Sequence, residues 1–78
     1  MTDSYMRYEV KDSIATLTMH RPPVNALDFK MMDDILAALR RAGNDPAVRA
    51  VVIDSSSQRT FCAGLDLKAI EAWSAMVT

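Results

Sequence analysis

The stretch RTFCAGLDLK, Arg59 to Lys68, holds one of the chain's two glycines, its only cysteine, and an aspartate between cations. It follows an apolar run and opens a helical pattern. A glycine there lets the backbone turn tightly and allows another group to approach it closely. The first N–H groups of a helix lack internal acceptors and point beyond its N-terminus. With Asp66 at the helix start, the N–H of Leu65 lies at that edge. A negative charge developing there gains from both the donor and the helix dipole. That is half of an oxyanion hole, and losing one such donor typically costs about 2.7–4 kcal/mol of transition-state stabilisation. The same residues also fit an ordinary strand-to-helix turn with Asp66 as a cap.

The other chemistry-bearing stretch is HRPPVNAL, His20 to Leu27. Asn25 is suited to bracing its turn with side-chain hydrogen bonds. Arg21 has the planar guanidinium that suits a phosphate, and it suits a surface ion pair equally. Cys62 has no activating base beside it and reads as a small buried hydrophobe.

Positioning these residues falls to five elements. Tyr5–Val10 alternates, with Met6, Tyr8 and Val10 on one face, and Ile14–His20 alternates again, with Ala15, Leu17 and Met19 together. The two runs form a β-hairpin around Lys11-Asp12-Ser13, with no Asn-Gly or Asp-Gly to set the turn type. Arg21-Pro22-Pro23 then ends regular structure. Asp28 is the N-cap of a helix whose apolar stripe is Phe29, Met32, Ile35, Leu36 and Leu39. Arg40 and Arg41 fall in its last turn, and Gly43 is placed for a left-handed C-terminal cap. Val48–Ile53, VRAVVI, is a strand apolar on both faces and therefore expected to be covered on both. Asp54–Arg59 is a polar loop. Asp66–Met76 is a second helix, with Leu67, Ile70, Trp73 and Met76 expected to face inwards. Three strands and two helices leave edges uncovered, so the chain reads as the beginning of something larger.

With 78 residues the chain is one small domain at most, and half its residues are apolar. A domain of that size buries only roughly 60% of its unfolded surface. Net charge is −1 with signs interspersed, which gives no basic patch for nucleic acid. A single cysteine allows no intramolecular disulfide and leaves no zinc motif. The polar N-terminus has no signal-peptide core, and no apolar run is long enough to span a bilayer. The expectation is a cytoplasmic protein without permanent cofactor, metal, membrane or nucleic-acid partner, with mitochondrial or peroxisomal placement left open.

Together, HRPPVNAL and FCAGLDLK, separated by a helix and VRAVVI, resemble the crotonase superfamily, the enoyl-CoA hydratase/isomerase family of fatty acid metabolism. Its members show an N-R-P-type turn leading to N-A-L, then an F-x-A-G-x-D-[LI] loop. The resemblance runs from about Tyr8 to Trp73 and implies an α/β fold, a spiral of β-β-α turns of which 1–78 is the N-terminal part. It implies assembly of the complete protein into trimers or pairs of trimers, and an acyl-coenzyme A thioester as substrate, coenzyme A entering only as part of it. Leu65 is implied to donate its backbone N–H to the thioester carbonyl oxygen. Ala63, Gly64, Leu65, Asp66 and Leu67 are implied to line the pantetheine and thioester, and Ala26 to line the CoA cleft by backbone. Arg21 and Lys68 are implied to reach CoA phosphates or the adenine region, with a surface ion pair and a solvated lysine as their plainer roles. His20 stands where relatives often have Asn, which implies a turn role.

The short PPVNAL turn and AGLDL resemble the Δ3,Δ2-enoyl-CoA isomerase branch more than the hydratases. The family's second oxyanion donor and its acid/base carboxylates come from later segments. The only glutamates, Glu9 and Glu71, match neither. The expectation is therefore thioester binding and oxyanion stabilisation as part of such an enzyme, incomplete in this chain. A stand-alone, catalytically inactive remnant that binds CoA or a family subunit is the alternative. A small nucleotide-binding module would need a G-x-G-x-x-G loop after the first strand, and there is none.

Overall fold

The computed structural model describes residues 4–77, leaving the side chains of Trp73, Met76 and Val77 outside the described set. The two alternating runs form β1 (Met6–Lys11) and β2 (Ile14–Met19), paired antiparallel from Met6↔Met19 to Lys11↔Ile14. That register leaves Asp12-Ser13 as a two-residue turn, and φ is +53° at Asp12 and +65° at Ser13. Positive φ at both central positions is the type I′ geometry, whose twist matches that of the flanking strands. Ala15, Leu17 and Met19 are buried on one face, with Met6 opposite Met19 and Tyr8 opposite Leu17.

Helix α1 (Phe29–Gly43) covers that face. Asp28 caps it as expected, its carboxylate accepting the Met31 N–H at 2.7 Å, and Arg40 and Arg41 occupy the last turn. The buried face differs from the expected stripe. Met31, Ala38 and Ala42 are buried with Ile35 packed beside them, whereas Phe29, Leu36 and Leu39 are exposed and Met32 is half-buried. The true contact line lies about 100° round the helix, one residue's rotation. Two alanines let the helix approach the sheet closely, while a pattern weighted by large side chains favours the wrong side. Gly43 also departs from expectation, being the last helical residue without positive φ. Ordinary bonds finish the helix instead: the Asn44 N–H reaches Arg40 O at 3.0 Å, and the Asp45 N–H reaches Ala42 O at 3.3 Å.

β3 (Ala50–Ser55) lies parallel to β2, from Ile14↔Ala50 to Met19↔Ser55, giving a three-stranded sheet ordered β1-β2-β3. It starts later than expected because the Val48 N–H bonds Asp45 O at 3.1 Å within the preceding turn. The expected cover on both faces is absent: Val51, Val52 and Ile53 are 43, 47 and 42% exposed. α1 sits over β1 and β2, and β3 is the sheet's edge. α2 (Leu67–Val77) likewise buries none of its described side chains. Leu67, expected to face inwards, is 73% exposed and Ile70 is half-buried. Trp73 and Met76 lie outside the described side chains. No helix is long and apolar enough to cross a membrane among the described residues.

Candidate active site

The connections that follow the parallel strands β2 and β3 leave the same end of the sheet and meet there. The Ala63 N–H bonds Val24 O at 3.0 Å, the Leu27 N–H bonds Gly64 O at 2.7 Å, and the Asp66 N–H bonds Leu27 O at 2.8 Å. This is a short parallel bridge between Leu27 and Leu65. In such a bridge the residue flanked by the two bonds turns its own N–H and C=O to the opposite side. The Gly64 N–H is occupied as well, by Cys62 Sγ at 3.4 Å. Of the four N–H groups from Ala63 to Asp66, only that of Leu65 has no acceptor among the described residues.

Leu65 stands at an open groove of about 560 Å³ whose walls include Tyr5, Pro22, Ala26, Leu65 and Lys68. Gly64 has φ +92°, and a Cβ there would meet nothing within 4 Å. The glycine is therefore required by backbone conformation rather than by crowding within the chain. The groove also borders the start of α2, where Asp66 is the cap. Its Oδ1 accepts the Lys68 N–H at 3.0 Å and the Ala69 N–H at 3.3 Å. The Ala69 N–H, with the Arg21 guanidinium and the Lys68 N–H, holds the Asp66 carboxyl below its ordinary value against the opposing effect of desolvation.

Between the two loops is Asn25, 1% exposed and with φ +54°. Its Oδ1 accepts the Arg21 N–H at 2.7 Å, and its Nδ2 donates to Ser55 Oγ at 2.8 Å and to Phe61 O at 3.1 Å. Its backbone carbonyl accepts from Cys62 Sγ at 3.3 Å. Asn25 thus braces its own turn, as expected, and also ties that turn to the second loop and the end of β3. Cys62 is half-buried and packed against the core as a small hydrophobe, and it also links the loops, its Sγ donating to Asn25 O and accepting the Gly64 N–H. His20 extends the hairpin pairing and reaches the loop after β3: its N–H bonds Tyr5 O at 2.7 Å and its Nδ1 meets Ser56 Oγ at 2.8 Å.

Arg21 points into the protein's own framework. Nη2 lies 3.1 Å from Asp28, and Nη1 lies 3.2 Å from Asp66 and 3.0 Å from Ala26 O. Lys68 borders the groove, exposed, with no ion-pair partner among the described residues. Leu67 forms part of the rim. The structure therefore brings Arg21, Ala26, Leu65, Asp66, Leu67 and Lys68 to one groove, with Ala63 and Gly64 forming the turn behind it. Glu9 and Glu71 are exposed elsewhere, on β1 and α2. Sequence reasoning missed Tyr5, Ser55 and the inward reach of Asp28. For Tyr5 and Ser55 no local signal exists, because their partners are distant in the chain.

Residues 9–76 match the family model described as Enoyl-CoA hydratase/isomerase. The chain is 46% identical over 63 residues to the peroxisomal bifunctional enzyme of Danio rerio, covering 80% of this chain and 9% of that protein. It is 36% identical over 59 residues to carnitinyl-CoA dehydratase of Proteus mirabilis, covering 76% of this chain and 23% of that protein. The crystal structure of an enoyl-CoA hydratase/isomerase from Xanthobacter autotrophicus Py2 superposes with a TM-score of 0.79 at 34% identity, over 97% of this chain and 31% of that one. The α/β, crotonase-like architecture is common to both. The chain spans less than a quarter of the length of these curated relatives.

Proposed function

The chain belongs to the enoyl-CoA hydratase/isomerase family, an enzyme family, and from that premise we propose that its groove binds an acyl-CoA thioester with the carbonyl oxygen on the Leu65 N–H. The observation that carries this reading is the alternation of the bridge: Ala63, Gly64 and Asp66 have used their N–H groups, and Leu65 has no acceptor among the described residues. A donor held by its neighbours needs no reorganisation when charge develops on the oxygen before it, and the adjacent start of α2 adds its dipole. Ala63 and Gly64 supply the turn, Ala26 and Leu67 flank the thioester and pantetheine, and Lys68 is the cation open to a CoA phosphate. Coenzyme A enters as part of the substrate.

One donor polarises a thioester without completing a reaction. Among the described residues the only carboxylate on the groove is Asp66, committed to capping α2 and to Arg21. In our reading residues 1–78 supply the first half of an oxyanion hole as the N-terminal part of a crotonase-like domain. The second donor and the acid/base groups come from outside these residues, and the complete protein is a trimer or pair of trimers. The short PPVNAL turn and AGLDL support a place nearer the Δ3,Δ2-isomerases than the hydratases, and a double-bond shift in a β,γ-enoyl-CoA by the complete protein tests that.

The test of the groove is a titration with butyryl-CoA labelled with ¹³C at the carbonyl. The expected result is a downfield shift of the labelled carbon together with movement of the Leu65 amide resonance. Binding that leaves both unmoved would sink the oxyanion reading and leave a CoA-binding remnant.

A further inference from the structure

We infer that Arg21 is a positioning residue for the Leu65 donor, joining the N-terminal caps of both helices through one guanidinium, and that it does not hold a phosphate of the substrate. Each capping carboxylate divides its oxygens in the same way. Asp28 gives Oδ1 to the Met31 N–H of α1 at 2.7 Å and Oδ2 to Arg21 Nη2 at 3.1 Å. Asp66 gives Oδ1 to the Lys68 and Ala69 N–H groups of α2 at 3.0 and 3.3 Å, and Oδ2 to Arg21 Nη1 at 3.2 Å. Nη1 also donates to Ala26 O at 3.0 Å. The starts of α1 and α2 are thereby locked to each other and to the loop between them.

The clamp is itself fixed at its base. The Arg21 N–H donates to Asn25 Oδ1 at 2.7 Å, and its carbonyl accepts the Asn25 N–H at 2.8 Å. Leu65 directly precedes Asp66 in the chain and faces Leu27 across the bridge. Any shift of Asp66 against Ala26 therefore re-aims the Leu65 N–H. The electrostatics point the same way. One positive charge lies between two carboxylates, so the cluster carries a net negative charge, and a phosphate arriving there would have to displace a partner and meet the remaining anion. A guanidinium can serve two carboxylates and a carbonyl at once because its donors form a rigid planar fork, whereas a lysine ammonium is a compact point charge.

This inference rests on the thioester reading of the groove, and Arg21→Lys separates the two. The variant keeps the charge and loses the fork. Binding is measured for butyryl-CoA and for S-butyryl pantetheine, which carries the same thioester without phosphates, and the Leu65 amide resonance is followed with no ligand present. We expect affinity for both esters to fall by the same factor, about tenfold to a hundredfold, as a misaimed site does. We also expect the Leu65 amide to move in the ligand-free variant. Asp66→Asn, which keeps a good N-cap and removes one carboxylate from the clamp, should reproduce the effect, and combining the two should cost no more than either alone. Loss confined to butyryl-CoA, or a Leu65 amide that stays in place in both variants, overturns the inference. If the unaltered chain binds neither ester, the thioester reading fails, and the Leu65 amide in the two variants still decides whether Arg21 positions it.

Discussion

Where α1 lies on the β1–β2 hairpin, the contact is Met31, Ala38 and Ala42 against Ala15, Leu17 and Met19, side chains without a polar group. Where loop 24–27 lies on loop 62–66, the contact is backbone bonds, a buried asparagine, a thiol and a guanidinium between two carboxylates. Apolar burial is non-directional and scales with area, so it tolerates small rotations of a helix on its sheet. Hydrogen bonds and ion pairs fix distance and angle, so they suit a place where one N–H must be aimed. The two regions divide stability from aim, and perturbing each should affect a different observable.

The largest expected effect is in the apolar region. Leu17→Ala should lower unfolding free energy by about 2–5 kcal/mol, read from urea denaturation. If the denaturation midpoint stays put, Leu17 is not the centre of the core. In the polar region, Gly64→Val forces a β-branched residue to φ +92°, at a strain of about 1–3 kcal/mol. Thioester binding should be lost in that variant while the hairpin and α1 resonances remain; a variant that binds normally would show that the turn does not aim the donor.

Acid should loosen the contacts that depend on carboxylates, one on α1 and one in the polar region. The Lys30 ammonium, then the Tyr5 N–H, hold the Asp34 carboxyl below its ordinary value despite desolvation, and the Ala69 N–H and Arg21 do so for Asp66. Groups whose pKa is depressed on folding stabilise fully above their unfolded value, about 3.9, and that stabilisation disappears as pH falls through the lower folded value. Melting temperature should therefore be level from pH 7 to about 5 and decline below about 4. Asp34→Asn and Asp66→Asn should each flatten the decline, and an unchanged slope in both would remove the carboxylates from the account. The smallest effect is expected at Tyr8, whose buried hydroxyl has no hydrogen-bond partner among the described residues while Arg41 lies 3.9 Å over its ring. Tyr8→Phe relieves that orphan and keeps the ring, so stability should rise by about 1 kcal/mol; a loss would mean the hydroxyl is satisfied in solution.

Local pattern made the hairpin and the extent of α1 legible, because alternation, Asp28 and the terminal arginines act within a few residues. The position of the Leu65 N–H at the edge of a helix start was legible for the same reason: a turn glycine, a cap and a helix start sit in one stretch. The buried face of α1 was not, because alanines carry little weight in a hydrophobic pattern yet set how closely a helix can approach. The exposure of β3 was hidden too, since VRAVVI encodes a demand for cover and says nothing about what supplies it. Asn25 shows a third limit. Its side-chain partners Ser55 and Phe61 are 30 and 36 positions away, so only the folded chain reveals that it joins two loops.

The outward N–H of Leu65 belongs to the main chain, which gives it an unusual mutational signature. Exchanging the leucine for another non-proline residue cannot delete it, so a saturation library should find position 65 permissive to everything except proline. Intolerance should fall on Gly64, Asp66, Asn25 and Arg21, whose backbone conformation and bonds set where that amide points. On the proposed role of that amide, the identity most free to drift over long divergence would be that of the residue contributing it, with its neighbours preserving the imprint.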